Sequence, residues 1–100
     1  MNEKNVQDAI LKYCKKLQDS GKPIFYERRQ SGGYNYKKGI PDVYAVVNGV
    51  HIEIEVKDVG GHQSTMQEKF EDRCKRQFNM LYICADNVED VKKLIEKYLD

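Results

Sequence analysis

The chain has 100 residues, 40% of them hydrophobic and 33% charged, with a net charge of +1. That length holds one small globular domain, expected over residues 1–100, and apolar periodicity along most of it excludes a disordered chain. No apolar run approaches the ~18 residues of a membrane helix, and Met1-Asn2-Glu3-Lys4 is too polar to open a signal peptide, so a soluble, intracellular protein without a membrane partner is expected.

Val6, Ile10, Tyr13, Cys14 and Leu17 recur at helical spacing, and Gly21 and Pro23 follow, which predicts a helix over about residues 3–19. Ile24 to Arg29 reads as a strand feeding a glycine-rich loop that runs from Gln30 to Gly39. Asp42 to Val47 and Val50 to Lys57 are two extended runs joined by Asn48-Gly49, a pair suited to the positive φ angles of a type I′ hairpin turn. After Gly60-Gly61, Ser64 and Gln67 have capping-box spacing ahead of Met66, Phe70, Cys74 and Phe78, predicting a helix over about 65–77. Met80 to Cys84 suits a buried strand. Asn87 can cap a last helix striped by Val88, Val91, Leu94, Ile95, Tyr98 and Leu99. The order is α-β-β-β-α-β-α, an α/β fold with a single mixed β-sheet flanked by helices. Cys14, Cys74 and Cys84 are odd in number and far apart, so three reduced, buried thiols are expected in place of disulfides or a zinc site.

A two-residue turn at Asn48-Gly49 pairs Val47 with Val50, Tyr44 with Glu53 and Asp42 with Glu55. Asp42, Glu53, Glu55 and Lys57 then share the polar face, while Val43, Ala45, Val47, Val50, Ile52 and Ile54 face the other way. Carboxylates opposed across a strand pair, with Cβ atoms about 5 Å apart, repel unless something positive lies between them. A hard divalent cation, Mg²⁺ or Mn²⁺, suits such oxygen ligands, and Lys57 on the same face can hold a water or stabilise charge on phosphate. From spacing alone a solvated charged face remains the competing reading. Glu53 is then either a surface charge or a third ligand, and His51 either an exposed strand histidine or a metal-binding or acid/base group.

With Gly39-Ile40-Pro41-Asp42, Glu55-Val56-Lys57 and Ser64-Thr65-Met66-Gln67, the chain resembles the VRR-NUC (virus-type replication-repair nuclease) family of the PD-(D/E)xK superfamily. The likeness covers most of the chain. It implies a restriction-endonuclease-like core and a Mg²⁺- or Mn²⁺-dependent DNA endonuclease without a small-molecule cofactor. It also implies a homodimer acting on branched DNA such as four-way junctions, in the manner of stand-alone phage or bacterial members, working in the cytoplasm, a host's if phage-encoded. By motif, Asp42, Glu55 and the backbone carbonyl of Val56 resemble the metal ligands, Lys57 the catalytic lysine, Gln67 the family's glutamine and Glu3 the glutamate of its first helix. Gln67 is equally explained by the capping box, and Glu3 by the helix N-terminus.

Residues 21–40 carry five basic residues, Lys22, Arg28, Arg29, Lys37 and Lys38, against one acid, Glu27. Beside a phosphodiesterase site, Arg28, Arg29, Lys37 and Lys38 suit phosphate contacts, and Tyr34 and Tyr36 suit stacking on an exposed base. Lys69, Arg73, Lys75 and Arg76 alternate with acids and are read as helical ion pairs. A catalytically inactive, structure-specific DNA-binding module and an assembly protein with a solvated hairpin are the alternatives.

Overall fold

A computed structural model of the chain describes residues 2–29 and 39–100. The first helix, α1, spans Glu3–Asp19, its N-terminus capped by Asn2, whose side chain accepts from the Asn5 N–H at 2.8 Å. Strand β1 is Ile24–Arg28, β2 is Val43–Val47 and β3 is Val50–Val56. Asn48 and Gly49 carry φ of 49° and 85°, so β2 and β3 join through the tight turn their residues favour. The register is the expected one, from Val47 against Val50 to Val43 against Ile54.

Helix α2, Thr65–Arg73, starts at the predicted capping box: Ser64 Oγ accepts from the Gln67 N–H at 3.2 Å, and Gln67 Oε1 accepts from the Ser64 N–H at 2.8 Å. It is shorter than the predicted 65–77. Cys74–Phe78 widens into a π turn, closed by the Asn79 N–H donating to Cys74 O, and Asn79 ends it at a φ of 54°. The wide turn buries Cys74, but Met66 and Phe78 stay exposed, so the apolar stripe expected for this helix is covered only in part. Strand β4, Leu81–Ala85, leads to Asn87, which caps α3, Val88–Glu96.

The described strands form one mixed sheet, ordered β1-β2-β3-β4, antiparallel except for the parallel β3–β4 pair. Val43, Ala45, Val47, Ile52, Ile54, Val56 and Ala85 line one face. Val6, Ile10 and Cys14 of α1 and Val91 and Ile95 of α3 close over it as the core. The opposite face carries Tyr44, His51, Glu53, Glu55, Tyr82 and Cys84, and here the competing reading of a solvated charged row fails: Glu53 is 1% exposed and Glu55 6%. Phe70 of α2 reaches Tyr82, with ring centroids 6.3 Å apart, and Gln63 donates to the Tyr82 hydroxyl at 3.0 Å. Cys84, expected to be buried, is exposed because β4 is an edge of the described sheet and Cys84 points away from the core. Among the described residues no helix is long and apolar enough to cross a membrane.

Candidate metal centre

Strand pairing ends at Val43 against Ile54, and the same register continued by one step sets Asp42 across from Glu55. Glu55 still belongs to β3. One of its oxygens, Oε1, is buried without a hydrogen-bond partner. Burial is the main reason its pKa is pushed up from the ordinary 4.5 to about 7. Lys57 opposes the rise, Asp42 and Glu3 add to it, and the Val56 backbone N–H offsets part of it by hydrogen bonding the carboxylate. Four charged groups from three parts of the chain therefore act on one another at this end of the sheet.

Glu3 arrives from α1. Its own backbone N–H donates to the carboxylate of Asp58, just beyond Lys57, which fastens the first turn of α1 to the exit of β3. Lys57 continues the chain past β3, its N–H donating to Ala85 O at 2.9 Å, and its side chain is half-buried. Asp42 and Glu3 also line an open cleft of about 580 Å³ together with Lys4, Gln7, Asp8 and Arg28. Arg28 is exposed at the end of β1 and offers a cation at the cleft wall.

A buried carboxylate oxygen with no donor, opposed by a second carboxylate, has the chemistry of half a hard-cation site. Among the described residues no three His, Cys, Asp or Glu side chains converge into a complete cage. The donor set suits an ion that keeps several waters and takes one or two carboxylates, which is the habit of Mg²⁺. Asp42 and Glu55 would hold it, and Val56, buried at the end of β3, brings its backbone to the same place.

The next carboxylate along the face has a different fate. Glu53 is neither a surface charge nor a spare ligand: Arg29 Nη1 and Nη2 donate to its two oxygens at 2.6 and 2.7 Å. His51 Nε2 lies 2.5 Å from Glu53 Oε2, and its ring stacks on Tyr44 at 5.2 Å, so His51 is held in this cluster and is not a free strand histidine. Arg29 also lies over the Tyr44 ring at 4.5 Å, and Tyr44 donates to Glu27 at 2.9 Å. Arg29, expected at a DNA phosphate, is half-buried here, with its planar guanidinium forked onto a buried carboxylate. Gln67 is engaged in the capping box.

Tyr34, Tyr36, Lys37 and Lys38, expected to touch DNA, lie outside the described residues. Asp58 was not singled out from the sequence. Its position next to the Glu-Val-Lys run was the available signal, but a partner 55 residues away has none in one dimension. Comparison of the chain with protein-family models, with curated proteins and with solved structures found no match.

Proposed function

We propose that the chain is a divalent-metal-dependent endodeoxyribonuclease with a restriction-endonuclease-like core, of the VRR-NUC kind that its motifs resemble. The observation that carries this reading is the buried, unpartnered Glu55 Oε1 opposite Asp42, with Lys57 two residues further on. A carboxylate in that position costs stability unless a cation meets it. Asp42 and Glu55 would hold a Mg²⁺ or Mn²⁺ ion, with the Val56 carbonyl as a further ligand. When bound, such an ion acidifies a water and offsets the negative charge that develops on a phosphodiester under attack.

The chain's own groups divide the remaining work. Lys57 orients the attacking water and balances the charge of Glu55. Glu3, held by Asp58 at the cleft wall, adds negative charge that favours cation uptake over an empty site. Arg28 faces the same cleft and suits a phosphate beside the cut. The substrate is taken to be branched DNA and the working unit a homodimer, because two sites related by a two-fold axis match the symmetry of a four-way junction. A DNA-binding module without catalysis accounts for the basic residues but leaves the orphaned Glu55 oxygen without a purpose.

The test is incubation of the purified protein with linear, flapped, forked and four-way DNAs under Mg²⁺ and Mn²⁺. Cleavage is expected from the parent, and none from folded Asp42→Asn or Glu55→Gln. Equal cleavage by these variants, or none by any protein under either metal, overturns the reading.

A further inference from the structure

Resting on that reading, we infer that Arg29 is a positioning residue for the metal-binding strand end, set in place by the buried Glu53, and not a DNA-contacting one. The Arg29 backbone N–H donates to Asp42 O at 2.5 Å, and its Nη1 donates to Pro41 O at 2.7 Å. One residue thus holds two consecutive carbonyls, those of the Pro41-Asp42 pair, at the point where the chain enters β2. The guanidinium is itself fixed on two further sides. Both terminal nitrogens are forked onto Glu53, its face lies over Tyr44, and Glu53 is in turn flanked by His51.

The arrangement spans three strands: Arg29 follows β1, Pro41 and Asp42 precede β2, and Glu53 sits within β3, two residues from Glu55. β3 therefore carries the candidate ligand Glu55 and the anchor Glu53 on the same face, the second fixing the approach of the opposing ligand Asp42 through Arg29. A solvated arginine selected for phosphate would gain nothing from a partner that is 1% exposed. Ligand-orienting groups of this kind set how well a carboxylate is presented to a cation, and their loss weakens metal binding by about 10- to 100-fold.

Two variants separate this role from general stability. Arg29→Lys keeps the charge but loses the fork that reaches Glu53 and Pro41 together. Arg29→Met combined with Glu53→Leu removes both charges, so that no unpaired ion is left buried. Mn²⁺ affinity is measured by calorimetry, with folding checked by circular dichroism, and junction-DNA affinity is measured across a salt series. The expected result is a 10- to 100-fold loss of Mn²⁺ affinity in both folded variants, with the slope of log affinity against log salt unchanged. Parent-like Mn²⁺ affinity in either folded variant overturns the inference, as does a slope reduced by about 0.9 in the double variant, which marks a lost phosphate contact. A parent that binds no Mn²⁺ instead overturns the nuclease reading, and this inference with it.

Discussion

The carboxylate of Asp58 accepts a hydrogen bond from the backbone N–H of Glu3, joining the first residue of α1 to the segment that follows β3. Helix N-termini leave four N–H groups without intrahelical partners. Here Asn2 serves the Asn5 N–H from within the helix start, and Asp58 serves that of Glu3 from across the fold.

Asp58→Ala removes that acceptor and is expected to cost about 1 kcal/mol, lowering Tm by roughly 4–8 °C in a domain of this size. Faster hydrogen exchange at the amides of the first turn of α1 is expected with it. An unchanged midpoint and unchanged exchange would show that α1 is held by its apolar face alone.

The raised pKa of Glu55 makes a prediction about pH whose direction is set by linkage. Because the folded-state value, about 7, lies above the ordinary 4.5, the native state binds more protons than the unfolded chain between them. This group therefore costs stability progressively as pH rises through that interval, and the loss is complete above about pH 7. Glu55→Gln removes the titration. In the absence of metal, the variant is expected to be more stable than the parent at about pH 8, by an amount on the order of 3 kcal/mol, and near-equal at about pH 4. Urea midpoints at the two pH values check this, and a variant less stable than the parent at the higher pH refutes it.

Thiol reactivity distinguishes the three cysteines. Cys14 and Cys74 are buried, with the Cys14 thiol pushed up to about 11 by desolvation, whereas Cys84 is exposed next to Glu55 in the β3–β4 register. An aromatic disulfide reagent is expected to label one thiol quickly in the native protein and all three only in denaturant. Burial and the Glu55 charge raise the Cys84 thiol as well, so labelling should accelerate as pH rises through the alkaline range. Fast native labelling that survives in Cys84→Ser would contradict the assignment.

Gly39 adopts a φ of +87°, and a Cβ built there would sit 2.6 Å from Met66 O. Gly39→Ala is expected to cost at least about 2 kcal/mol, from left-handed backbone strain plus displacement of the α2 N-terminus. Gly21→Ala is the control, since Gly21 has a φ of +84° with nothing within 4 Å. Thermal melts that show equal losses for the two would mean that the close approach to α2 carries no cost.

Much of the local structure was legible from particular residues. Asn48-Gly49 dictated the turn, and with it the pairing of every residue from Val43 to Ile54, because a two-residue loop leaves no freedom in register. Ser64 with Gln67, and Asn87, marked helix starts through hydrogen bonds only three residues long, which sequence spacing can report. The π turn at Cys74–Phe78 was not legible. Its apolar spacing matches an α-helix, and a hydrogen bond reaching five residues in place of four leaves no mark in that spacing.

For the candidate site, the sequence by itself determined that Asp42 and Glu55 oppose each other and that Lys57 follows, since alternation and the turn are local rules. It could not determine that this face is buried, because alternating charge reads the same whether solvent or another part of the chain covers it. Tertiary structure decided that Glu53 is enclosed by Arg29 and His51, that Glu55 is left with a lone buried oxygen, and that Asp58 fastens α1 nearby. The physical reason is range. Turns and caps form between residues within a few positions of one another, whereas desolvation and long-range pairing depend on which distant segment comes to lie on top.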